Sequence, residues 1–193
     1  MSKKEYRQSA GSIREIRVTS DGRGRLVADV MQYGVVDDYR TSFDPEVFVD
    51  SLGVKMPAIL WAHDDHDPIG RWVDADNTRS RLRLAGQLDL AMIPDTNTPA
   101  VPSAHRAWAQ LNSGTINEFS VGFCRQAEER NKPRQGVTLI TKAILDEASP
   151  ILVGSVPGTG LVSIRSAGGL QREGRLTFFP SEITAGRGYL RVG

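Results

Sequence analysis

Arg81–Leu90 sets charged or polar positions against Leu82, Leu84, Leu88 and Leu90, the two-residue period of a strand with one buried face. Ser12–Ser20 and Arg25–Tyr33 alternate or cluster β-branched and apolar residues around Asp21-Gly22-Arg23-Gly24, a turn signal, and read as a hairpin. Pro57–Trp61 is a compact apolar run, the pattern of a buried strand, and it ends just before His63; Ile69–Val73 resumes in extended form. Phe119–Phe123 and Val137–Leu145 read as two further strands joined by the charged surface connection Glu128–Gly136. Ile151–Val153 and Leu161–Ile164 add two short strands about the Gly- and Pro-rich turn Gly154–Gly160.

Helical signals are fewer. Asp44-Pro45-Glu46 combines a capping residue, a proline at the first helical position and an early acid ahead of Val47, Phe48 and Leu52, predicting a short helix that ends near Gly53. Met92–Ser103 holds three prolines and reads as a loop, followed by a helix through His105, Trp108 and Leu111 that stops near Gly114. Many short strands with about two helices predict an α+β, mainly β fold, a closed or strongly curved antiparallel β-barrel with the helices outside. From Ser166 onward the chain is rich in Gly, Arg and Ser and has little periodicity. The expected organisation is one domain over residues 1–165 and a mobile tail over residues 166–193.

Composition narrows the function. With 24 basic and 23 acidic side chains the formal charge is +1, so there is no global field to hold nucleic acid or an anionic membrane, and neither is expected as a partner. No stretch approaches the roughly 20 apolar residues of a membrane span, and Met1–Gln8 lacks the apolar region of a signal peptide, so a cytoplasmic protein is expected. Cys124 stands alone, which excludes an internal disulfide and a thiolate zinc site. It follows the serine discussed next in an apolar-rich run, where a free cysteine is ordinarily a small buried hydrophobe rather than a nucleophile.

Two stretches carry candidate chemistry: Trp61-Ala62-His63-Asp64-Asp65-His66-Asp67-Pro68-Ile69-Gly70-Arg71-Trp72 and Asn117-Glu118-Phe119-Ser120-Val121-Gly122-Phe123. A serine hydroxyl is a poor nucleophile until an imidazole takes its proton and a third group orients the ring. His63, Ser120 and an acid from Leu145-Asp146-Glu147-Ala148-Ser149 supply those three types. Taken singly, a histidine near a strand end is ordinarily a satisfied side chain, and a serine beside glycine a small sheet residue. The third place is open between Glu147, Asp146 and a second histidine, His66 or His105. His63–Asp67 also has the ligand types of a metal site, which would make a metal-dependent hydrolase, against the ordinary reading of a solvated acidic loop.

Taken together, Leu60-Trp61-Ala62-His63-Asp64, Pro68-Ile69-Gly70-Arg71, Ser120-Val121-Gly122-Phe123 and Leu145-Asp146-Glu147-Ala148-Ser149 resemble the motifs of the prohead maturation proteases of tailed phages, distant relatives of herpesvirus assemblin. The resemblance spans roughly Ile16 to Arg165. It departs at Ser149–Gly160, where the family's usual Pro-Ala-Asn turn is missing and Pro150 stands where a strand would run on. The resemblance implies an assemblin-like barrel and a serine endopeptidase with His63, Ser120 and Glu147 as catalytic residues and no cofactor or metal. It also implies action inside the assembling procapsid in the host bacterial cytoplasm. The expected substrates are scaffold, the scaffold-like segment of the major capsid protein and the enzyme itself, and the enzyme is expected to form a homo-oligomer, most simply a dimer. A non-catalytic capsid-assembly protein on the same fold is the alternative.

Overall fold

The computed structural model describes residues 5–9, 13–18, 23–131 and 136–152. In chain order the strands are β1 (Glu5–Ser9), β2 (Ile13–Val18), β3 (Arg23–Gln32), β4 (Thr41–Phe43), β5 (Ala58–Trp61), β6 (Asp64–Asn77), β7 (Arg81–Asp89), β8 (Met92–Ile93), β9 (Thr98–Pro99), β10 (Glu118–Asn131) and β11 (Val137–Ile151). Two helices interrupt them, α1 (Val49–Val54) and α2 (Pro102–Ser113). The main sheet follows the order β1-β10-β11-β5-β6-β7-β3-β2, with β4 also pairing β11, and β8 and β9 form a separate ribbon.

Alternation explains the sheet. In β7 every second residue, from Leu82 to Leu88, is buried. Its neighbour β6 lays the Trp72 indole across Gly86, where a Cβ would stand 2.6 Å from Cε3 of that ring. Leu26 and Ala28 of β3, Ile59 of β5, Ile69 and Trp72 of β6, and Phe119, Val121 and Phe123 of β10 meet in one core. Phe43, Phe48 and Phe123 pack at its far end, with Phe43 and Phe123 edge to face at 5.3 Å. The sheet bends enough that β3 and β10, well separated along its path, come into contact.

The fold is mainly β with few helices, as expected, but the sheet is not a closed antiparallel barrel. Among the described residues its two terminal strands, β1 and β2, each have one ladder neighbour, and no pairing joins them. Pairing is mixed as well, because β11 takes both β4 and β5 in parallel. The β2–β3 hairpin forms as predicted. The charged connection after β10 is shorter than its composition suggests: the ladder continues to Asn131 opposite Val137, so much of it is strand.

Asp44 starts a turn rather than a helix. Its carboxylate accepts the Glu46 N–H at 2.8 Å and its carbonyl accepts the Val47 N–H at 3.1 Å, which delays α1 to Val49. The loop before α2 contains the β8–β9 ribbon, and α2 itself starts at Pro102 and is capped after Ser113 by Gly114, whose φ of 75° is the left-handed terminator. The strand Leu161–Ile164, the turn Gly154–Gly160 and the tail from Ser166 lie outside the described residues.

β11 runs through Pro150, which pairs with Phe119. Proline is tolerated there because β5 pairs β11 only at Ala58–Glu147 and then diverges. Beyond that point side chains replace the ladder: Trp72 Nε1–H donates to Ala148 O at 2.9 Å, and Leu60 N–H donates to Ser149 Oγ at 3.1 Å. Trp72→Phe removes a buried donor and part of the ring that fills this gap. It is expected to cost about 2–3 kcal/mol of unfolding free energy, read as a fall in the urea midpoint at constant m-value.

Candidate active site

His63 sits at the tip of the β5–β6 hairpin. Trp61 pairs with Asp64, so Ala62 and His63 form a two-residue turn, and both have positive φ, 48° and 67°. That is the signature of a type I′ turn, which ordinarily uses Asn and Gly. A residue with a Cβ in this region costs about 1–2 kcal/mol, and such strain persists only where the surroundings over-determine it. The surroundings do so here. Asp64 Oδ1 accepts the His66 N–H at 2.9 Å, Ser103 Oγ–H of α2 donates to Asp67 Oδ1 at 2.5 Å, and the Arg106 guanidinium of α2 lies 5.6 Å from the centre of the Trp61 ring. Three residues, Asp65–Asp67, bulge out of the β5–β6 ladder to make these contacts.

The other candidates stand on the central pair β10–β11. Ser120 is opposite Ser149 and Gly122 is opposite Glu147, so the four share one face of the ladder. Phe119, Val121 and Phe123 and their partners Ala148 and Leu145 occupy the core. Strict alternation would put Leu145 on the same side as Glu147. A bulge at Asp146, where the register steps from Gly122–Glu147 to Phe123–Leu145, separates them. Both faces of this segment are covered: Ser120 and Ser149 are wholly buried and Glu147 is 1% exposed.

A buried carboxylate requires partners for both oxygens. His63 Nδ1 meets Glu147 Oε1 at 2.6 Å, and the Ser149 hydroxyl donates to Oε2. An ionised carboxylate only accepts, so Nδ1 carries the hydrogen and Nε2, itself a buried atom, is the basic nitrogen. Gly122 makes room for this carboxylate. A Cβ built on it would overlap Oε1 and stand 2.9 Å from Glu147 Cγ. A part-buried imidazole thus meets a buried carboxylate on the ladder face that also carries the buried Ser120, and these are the group types that acyl transfer uses.

The structure brings His63 and Glu147 into contact and sets Ser120 two residue pairs along the ladder from Glu147. Asp146 instead faces the Cys124 thiol, which donates to its Oδ2 at 3.2 Å. His66 is exposed and His105 lies on α2. The run His63–Asp67 does not converge, since His63 turns to Glu147 and Asp67 to Ser103. No three or more His, Cys, Asp or Glu side chains among the described residues form a group able to hold a metal.

Sequence reasoning gave no role to Ser149 or to the α2 residues Ser103 and Arg106. Ser149 carried only its place in the Glu147 motif as a signal; its pairing opposite Ser120 is visible in the structure alone. The α2 contacts carried none.

A model of the caudovirus prohead serine proteases matches residues 12–168. The chain belongs to this family. A search of curated proteins gives no match. Among solved structures, the bacteriophage T4 capsid assembly protease gp21 is similar, with a TM-score of 0.53 at 9% sequence identity, covering 76% of this chain and 97% of that one. At that identity the likeness is one of fold. This prohead-protease chain builds its fold on a mixed, mainly β sheet. Among its described residues, no helix is long and apolar enough to cross a membrane.

Gly122→Ala is expected to force the Glu147 carboxylate away from Nδ1 and to cost about 1–3 kcal/mol of stability. Urea unfolding measures this, and a change below about 0.5 kcal/mol would mean that the carboxylate does not lie against this backbone.

Proposed function

We propose that this family member is a serine endopeptidase of procapsid maturation in which Ser120 is the nucleophile, His63 the general base and acid, and Glu147 the group that orients the imidazole. The observation that carries this reading is the 2.6 Å contact between His63 Nδ1 and the buried Glu147, on the same ladder face as Ser120. In acylation Ser120 Oγ bonds to the scissile carbonyl carbon while its proton passes to His63 Nε2. Collapse of the tetrahedral intermediate breaks the C–N bond, and the imidazolium gives that proton to the leaving amine. Water then repeats the sequence on the acyl-enzyme and restores the serine hydroxyl. Glu147 stays ionised throughout and stabilises the imidazolium.

The substrates are scaffold or the scaffold-like segment of the major capsid protein, cut inside the assembling procapsid in the host cytoplasm. Residues 1–165 carry the activity, and residues 166–193 are a segment for packaging or self-cleavage. The enzyme acts as a homo-oligomer, most simply a dimer. Family membership supports the reaction and its setting; the substrate segments, tail and dimer are this proposal's own extension.

Intact mass followed over time at high concentration, alone and with capsid protein, tests it. Wild-type protein is expected to yield defined fragments and Ser120→Ala none. Glu147→Gln is expected to lower kcat by about 10³–10⁴, the loss that follows when an orienting carboxylate becomes an amide. Equal cutting by wild type and Ser120→Ala would remove Ser120 as nucleophile. Unchanged masses of both proteins would favour a capsid-assembly protein on the same fold.

A further inference from the structure

We infer that Ser149 is a positioning residue that ties the orienting carboxylate to the strand that delivers the imidazole. This deepens the triad reading above and rests on it. The Ser149 hydroxyl is wholly buried and does two things at once: it donates to Glu147 Oε2 and accepts the Leu60 N–H at 3.1 Å. A hydroxyl has one hydrogen to give and lone pairs to receive, so a single small group satisfies both partners.

Leu60 lies in β5, three residues before His63. The connection therefore runs from the His63 strand, through one oxygen atom, to the carboxylate that receives His63 Nδ1–H. Glu147 has rotatable bonds between its backbone and its oxygens. Fixing Oε2 through Ser149 points Oε1 at Nδ1, while Gly122 supplies the floor on which the carboxylate rests. Loss of the hydroxyl leaves a buried carboxylate oxygen without this donor and the buried Leu60 N–H without this acceptor, and releases the angle at which the imidazole is held.

The direct readout is the far-downfield proton resonance of the His63 Nδ1–H···Oε1 bond. It is recorded on full-length protein carrying Ser120→Ala, so that self-cutting does not interfere, and is assigned by its absence after His63→Gln. The resonance is expected to shift or broaden away when Ser149→Ala is added and to return with Ser149→Thr, which keeps the hydroxyl. Should the alanine protein not fold, Ser149→Cys, nearly isosteric but a weaker donor, carries the same test.

In protein with Ser120 intact, Ser149→Ala is expected to lower kcat about 10- to 100-fold at near-constant KM. An unchanged resonance in the alanine or cysteine protein, or a kcat within twofold of wild type, would overturn the inference. Failure of the triad reading is seen separately, as cutting that survives Ser120→Ala; the resonance experiment does not depend on cutting.

Discussion

The carboxylate of Glu147 sets the terms for the centre of this molecule. Removing an ion of that size from water costs several kcal/mol unless neighbours replace the lost hydration. Here Ser149 and His63 supply hydrogen bonds to its two oxygens, and Gly122 supplies the space. Each of the three reaches it from a different position: from the same strand, from a hairpin tip and from the adjacent strand. The carboxylate is therefore both part of the candidate chemistry and the point at which three backbone segments are fastened together.

This fastening accounts for the backbone at Ala62 and His63. Neither residue favours left-handed φ, and the turn has no glycine or asparagine to relieve it. The energy that holds it comes from outside the turn: from Glu147 on one side and from α2 on the other, through Ser103–Asp67 and Arg106–Trp61. Strain of this kind, at a residue whose ring nitrogen must be aimed, is a form of pre-organisation.

What was legible in the sequence follows physical lines. The Leu82–Leu88 alternation, the Gly114 stop and the strand before His63 are local patterns with local causes, and all three appear in the structure. His63, Ser120 and Glu147 were readable as candidates, not as an assigned triad, because their residue types and motifs are distinctive. Closure of the sheet was not, because it depends on which strands meet at the ends of a path, and hydrophobic period is silent on that. Likewise the run past Glu128 reads as a loop on composition, yet a partner strand extends it. Ser149 was hidden for a different reason. A buried serine has no periodic signature, and its importance lies in two partners, Leu60 and Glu147, that stand far from one another in sequence.

The bulge at Asp146 is a shift of phase by one residue, and it fixes the length of the segment around it. Leu145 faces the core and Glu147 faces the histidine only because one extra residue lies between them in the ladder. A single insertion or deletion between Leu145 and Ser149 would exchange the two faces. The carboxylate would turn into the aromatic core and an apolar side chain toward the imidazole. This stretch of strand is therefore constrained in its count of residues as well as in their identity.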